Sequence, residues 1–155
     1  MKIRVERDVL AEAVAWAARS LPTRPSVPIL AGLLIKADTE GVTLSSFDYE
    51  RSARVTIQAE IVDEGVALVS GKLLSDIARS LPNRPVELTT DGSKAELVCG
   101  SARFTLQTLP VDDYPSLPEM PPAAGAVSSD DFARAIGQVA VAAGDAPRLA
   151  ARLAT

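Results

Sequence analysis

Histidine is absent from this chain of 155 residues. Histidine is the commonest general base near neutral pH and a frequent partner of serine and cysteine nucleophiles, so enzymatic chemistry would have to use carboxylates or lysine. The single cysteine, Cys99, excludes an internal disulfide and cannot alone form a structural zinc site. Its place in the alternating run 95–99, on the face shared with Ala95 and Leu97, predicts a small core residue rather than a nucleophile.

The sequence also lacks a glycine-rich phosphate loop, because its nine glycines are scattered at turns and at the ends of predicted elements. Two pairs of adjacent aspartates, Asp112-Asp113 and Asp130-Asp131, could suggest a magnesium site. The first pair lies in a proline-rich loop and the second lies where a helix begins, which favours solvated acids and helix-start charges. We therefore predict no catalytic residues, no metal ligands and no cofactor.

Long hydrophobic runs are missing as well. The longest, such as Ile29 to Ile35, are far shorter than the roughly 20 residues that a membrane-spanning helix needs. The charged opening, residues 1–8, has no apolar block of the kind found in signal peptides. With 47% apolar and 23% charged residues, the composition is that of an ordinary globular protein, and we expect a cytoplasmic protein that binds no membrane.

The hydrophobic pattern predicts an α+β fold. A strand at residues 2–5 precedes a helix with Asp8 as its cap, which ends at Leu21-Pro22. Strands are predicted at 29–36, 42–47 and 53–60, a turn at 62–65, and a short strand at 66–69. A second helix follows from about Lys72 to Leu81, and three further strands at 86–90, 94–100 and 102–108. Because tight turns join neighbouring strands, we expect a mostly antiparallel sheet with both helices packed on one face.

A proline-rich stretch from 109 to 122 follows the last strand and predicts a linker. The first domain is then residues 1–120, and residues 123–155 begin a second one. A shift of 122 residues supports this division, because it aligns residues of the predicted third helix with the first, placing Val127 on Val5, Asp130 on Asp8, Phe132 on Leu10, Ala135 on Ala13 and Ile136 on Val14. Many capped helices share such spacing, so chance remains the alternative to a repeated domain.

Three segments together resemble a known family. They are Arg-Phe-Thr-Leu-Gln-Thr-Leu-Pro-Val-Asp-Asp at 103–113, Arg-Pro-Ser-Val-Pro-Ile-Leu at 24–30 and Ser-Ser-Phe-Asp-Tyr-Glu at 45–50. In this order they resemble the first domain of the bacterial DNA polymerase III sliding clamp, the beta subunit. The resemblance implies a non-catalytic subunit built from three such domains, which forms a two-subunit ring around duplex DNA. It also implies the replicative polymerase and the clamp loader as partners.

The resemblance assigns two sets of residues. It implies that Arg24, Lys72 and Arg79 face the DNA; ordinary solvated charges are the alternative. It also implies that Arg103, Phe104 and Leu106 lie at the subunit interface, where an edge strand would pair with the third domain of a neighbouring subunit. The alternative is that Phe104 and Leu106 fill the core of their own domain, as the alternation of the strand by itself suggests.

The resemblance extends over about the first 143 residues. From about residue 144 the sequence becomes rich in alanine, arginine and leucine and departs from the family pattern. We therefore expect a clamp fragment that includes a truncated start of the second domain and does not form the homodimeric ring. A stand-alone adaptor or competitor that binds the third domain of an intact clamp is the alternative function. An acid-dependent hydrolase or nuclease is a remote third.

Overall fold

Strands dominate the first 118 residues of the protein. The computed structural model describes residues 1–119 and 121–140. In that part of the chain the helices are α1 (Arg7–Ala17), α2 (Gly71–Ser80) and α3 (Ser129–Ala140). The strands are β1 (Lys2–Val5), β2 (Gly32–Asp38), β3 (Gly41–Phe47), β4 (Ser52–Ile57), β5 (Glu60–Asp63), β6 (Gly65–Ser70), β7 (Val86–Asp91), β8 (Lys94–Cys99) and β9 (Ala102–Leu109).

These strands form one nine-stranded sheet in the order β4-β3-β2-β6-β9-β8-β7-β1-β5. Every strand pair in it is antiparallel, which confirms the predicted α+β fold. Strand β9 is paired along its length on one side only. This strand pairs with β8 along 102–107, but it meets β6 only where Thr108 and Leu109 face Val69 and Leu68. Within the described residues, one edge of β9 therefore has no strand partner over most of its length.

Both helices of the first domain bury one face against the sheet. In α1 the buried side chains are Leu10, Ala13, Val14 and Ala17, and in α2 they include Leu74, Ile77 and Ala78. This spacing of three and four residues forms the apolar stripe of an amphipathic helix. The alternation predicted for β4 is confirmed at Ala53, which is buried, and at Val55 and Ile57, which are half-buried. Cys99 is fully buried, as predicted.

Two local predictions were wrong. Helix α1 begins at Arg7 with Glu6 as its cap residue, and Asp8 lies in the first turn, where its charge still favours the helix start. The turn predicted at 62–65 overlaps β5, a short strand that pairs with β1. The sequence hid β5 because none of its four residues is fully buried, so no alternation marks it.

The beginning of the predicted linker is fixed to the domain by Tyr114. Its side chain is buried, and its hydroxyl accepts a hydrogen bond from the backbone N–H of Phe47 (2.9 Å) and donates one to the carbonyl of Gly32 (3.4 Å). The chain divides into two units between Pro118 and Glu119. Tyr114 therefore belongs structurally to the first unit, although it lies inside the segment 109–122. The domain bounds drawn from the sequence stay a prediction.

The described part of the second unit contains α3. Ser128 caps this helix, because its hydroxyl accepts from the Asp131 N–H (3.2 Å) and donates to the Asp131 carboxylate (2.7 Å). Asp130 and Asp131 lie in the first turn, as the sequence predicted. The divergent tail predicted from about residue 144 lies outside the described residues. Among the described helices, none is long and apolar enough to cross a membrane.

Candidate nucleic-acid interface

Helix α2 holds two of the predicted DNA-facing cations. Ser70 caps the helix by accepting from the N–H of Leu73 (3.4 Å). The buried side chains of α2 fix which face turns away from the sheet, and Lys72 and Arg79 are both exposed on the other side. Since they lie seven positions apart, two helical turns, their side chains share one face.

The loop that follows α1 runs beside this face. A groove of about 570 Å³ lies between the loop and α2, and it is lined by Ala18, Leu21, Pro22, Thr23, Pro25, Ala31, Lys72, Ser75, Asp76 and Arg79. Arg24 is exposed between two of the lining residues, Thr23 and Pro25. The structure thus brings Arg24, Lys72 and Arg79 to the border of a single groove, although they are far apart in sequence.

The charge of this groove is positive but moderate. Arg79 donates to the hydroxyl of Ser75 (3.3 Å), and its guanidinium lies 4.0 Å from the carboxylate of Asp76. Within the described residues, neither Arg24 nor Lys72 has a carboxylate within salt-bridge distance. Because all of these cations are exposed to solvent, salt screens them strongly, and they suit weak, reversible contacts with an anion.

Arg7 is a neighbour of this site that sequence reasoning missed. Its guanidinium donates to the backbone carbonyl of Arg79 (3.3 Å) and to the carboxylate of Asp8 (2.7 Å). A cation at the last turn of a helix stabilises the partial negative charge there. Arg7 therefore joins the first turn of α1 to the last turn of α2. Its position next to the predicted helix start gave no sign of a contact 72 residues away.

The residues of the second predicted site, on β9, differ in how far they are buried. Leu106 is only 1% exposed and faces Ala95 of β8, which favours the alternative that it fills the core of its own domain. Phe104 is half-buried against the same core, and Arg103 is exposed and paired with Glu96 of β8 (2.7 Å). For all three residues the interface stays a prediction.

The described residues contain no cluster of three or more acidic, histidine or cysteine side chains placed to hold a metal ion. The thiol of Cys99 donates to the carbonyls of Pro82 and Arg84, both at 3.2 Å. These contacts tie the end of β8 to the segment after α2. Cys99 thus has a structural role.

Comparison with known proteins identifies the domain around this site. The family model described as DNA polymerase III beta subunit, N-terminal domain, matches residues 1–118. A beta sliding clamp from Streptomyces coelicolor is 68% identical over 144 residues, which cover 93% of this chain and 38% of that protein. A beta sliding clamp from Micrococcus luteus is 55% identical over 143 residues, 92% of this chain and 46% of that protein. The chain thus spans less than half the length of either relative.

A solved structure supports the same grouping. The DNA polymerase sliding clamp from Caulobacter crescentus superposes with a TM-score of 0.77 at 26% identity. The match covers 88% of this chain and 38% of that one. It extends past residue 118, since the shared fold covers more of the chain than the family model does.

Proposed function

Because this chain belongs to the family of DNA polymerase III beta subunits, through the N-terminal domain of that family, we propose that it acts in bacterial DNA replication as part of a sliding clamp. In this function the domain forms one segment of a ring that encircles duplex DNA. It tethers the replicative polymerase after a clamp loader has placed the ring, and it catalyses no reaction. In this function the protein acts in the cytoplasm.

The observation that carries the proposal is the convergence of Arg24, Lys72 and Arg79 on the groove beside α2. A ring that slides must attract the phosphate backbone without gripping it or reading its bases. Exposed cations contact phosphates independently of sequence, and each contact weakens as salt rises. The net charge of −4 is compatible with this role, since only the surface that faces DNA needs to be positive.

An NMR titration of the full chain with a short duplex of mixed sequence tests the proposal. At low salt we expect chemical-shift changes concentrated at the amides of Thr23, Arg24 and Ser26 and of residues 71–80. These changes should be equal for two unrelated sequences and lost at high salt. Replacing both Lys72 and Arg79 by glutamate should abolish them. Lys94→Glu, which changes an exposed cation on β8, is the matched control and should leave them intact. Shifts confined to another surface would contradict the proposed DNA face.

The alternative function, a stand-alone adaptor or competitor, is favoured by one observation. In the part of the chain that the structure describes, the edge of β9 that faces away from β8 is unpaired over 102–107, and Phe104 is only half-buried there. A free edge is a template for a strand of another protein. Titration calorimetry with the isolated third domain of a full-length clamp tests it: saturable binding that Phe104→Arg removes, in a variant that still folds, would support this function.

A further inference from the structure

The two halves of the nine-stranded sheet meet at a short junction between β6 and β9, and an open cleft of about 400 Å³ lies beside it. We call it the β6–β9 cleft. The two strands join through only two residue pairs, Leu68 with Leu109 and Val69 with Thr108. The next residue, Pro110, has no backbone N–H and cannot continue the ladder. In the described part of the chain, residues 65–67 of β6 therefore have a strand partner on the β2 side alone.

One wall of the cleft is fixed by the hairpin that joins β7 and β8. The backbone N–H of Thr108 donates to the carbonyl of Ser93 (2.9 Å), and the Thr108 hydroxyl donates to the carbonyl of Gly92 (3.3 Å). Val66 and Val111 also line the cleft, and both side chains are exposed although they are apolar. The cleft thus has a preformed shape and apolar surface that the core of the domain leaves uncovered.

The border of the cleft is acidic. Asp91 and Asp112 each directly follow a residue that lines it, and Glu64 and Asp113 lie two positions from one. All four side chains are exposed, and in the described residues none lies within salt-bridge distance of a cation. Lys94 lies opposite Asp91 across the hairpin and offsets only part of this charge. The cleft therefore combines apolar surface with an excess of negative charge.

We propose that the β6–β9 cleft binds a short, extended segment of a partner protein in which lysine or arginine flanks one or more apolar side chains. The apolar side chains pack on Val66 and Val111, and removal of this surface from water favours binding. The flanking cations meet the acidic border, where charge complementarity speeds association and selects the partner. Because only residues 65–67 offer unpaired backbone groups, the contact is short and reversible.

Two other occupants fit the cleft less well. Nucleic acid carries phosphates, which the acidic border repels. A second copy of this chain has a net charge of −4 and would bring further acids toward the border. A basic segment of another protein is therefore the occupant that the charge of the cleft favours.

An NMR titration of the full chain with a synthetic peptide tests the proposal. The probe has a central Val-Leu-Val flanked on each side by two lysines. At low salt we expect saturable chemical-shift changes at the amides of Ala67, Leu68, Gly92, Ser93 and Val111. A peptide with glutamate in place of lysine should bind about tenfold more weakly, because its charge is wrong. A lysine peptide with three central serines should lose about as much, because it lacks the apolar contact.

Neutralising the border completes the test on the side of the protein. Replacing both Asp91 and Asp112 by asparagine should weaken binding of the lysine peptide about fivefold at low salt, since two exposed charges are lost. Asparagine preserves the turn at Asp91, because Asn-Gly and Asp-Gly suit the same hairpin. The matched control replaces Glu60 and Glu87, exposed acids on β5 and β7, by glutamine. It changes the net charge equally and should leave the affinity unchanged.

Unchanged affinity in the variant of Asp91 and Asp112, or equal binding of the serine peptide, would overturn the proposal, because binding would then not depend on the cleft. Changes at the same amides when the protein concentration alone is raised would also overturn it, since the occupant would be a second copy. The same holds if a DNA duplex, added without the peptide, changes these amides, because the occupant would then be a nucleic acid.

Discussion

Leu106 decides between two roles of strand β9, and replacing it with alanine separates them. The side chain is 1% exposed and lies opposite Ala95, which is itself fully buried. If Leu106 is a core residue, Leu106→Ala removes buried methyl groups and leaves a cavity. The expected cost is about 2 to 5 kcal/mol of unfolding free energy.

The residues around Leu106 indicate a loss of unfolding free energy in the middle of this range. Backbone pairing with β8 fixes β9 from Ala102 to Gln107, so the strand cannot move inward to fill the space. Alanine at position 95 has no side chain long enough to fill it either. We therefore expect a loss of about 3 kcal/mol. For a domain of this size that loss lowers the melting temperature by roughly 10 to 15 °C.

Urea unfolding followed by circular dichroism measures the change. Thr105→Ala, on the exposed face of the same strand, is the matched control and should stay within about 0.5 kcal/mol of the parent protein. Phe104→Ala should lie between the two, because Phe104 is only half-buried. An unchanged midpoint for Leu106→Ala, together with lost binding to the third domain of a full-length clamp, would refute the assignment of Leu106 to the core.

Three further predictions concern the scaffold of the site. Tyr114→Phe should cost about 1 to 3 kcal/mol, because the buried N–H of Phe47 loses its acceptor. Burial raises the pKa of Tyr114 above the ordinary value of about 10. The neutral phenol therefore stabilises the fold fully at pH values below the pKa of the unfolded chain, and this stability is lost as pH rises through the pKa of the folded protein. The difference in unfolding free energy between the parent protein and Tyr114→Phe, measured in urea, should therefore narrow in alkaline solution. Gly32→Ala should cost about 1 to 3 kcal/mol of unfolding free energy, since a Cβ there would lie 2.6 Å from Leu68 Cδ1. Gly92→Ala is the control for backbone strain, because φ at Gly92 is +54° while a Cβ there would have no atom within 4 Å. Limited proteolysis should cut between 119 and 128 and spare 110–114, which mass spectrometry of the fragments would show; cleavage before Tyr114 would contradict its anchoring role.

The fold could be predicted from the sequence where periodicity is strong. The apolar stripes of α1 and α2 and the alternation in β4 each follow from a face buried against one core. The prediction failed where burial is slight, as in β5, and where a single distant contact decides the outcome. Tyr114 is the clearest case, because prolines on both sides indicate a linker while the hydroxyl binds backbone groups 67 and 82 residues away.

The candidate site could also be predicted from the sequence only in part. That Lys72 and Arg79 share a face follows from helical spacing, but their meeting with the loop around Arg24 depends on how α1 and α2 pack. Arg7 gave no signal at all, because it contacts a backbone carbonyl at the far end of another helix.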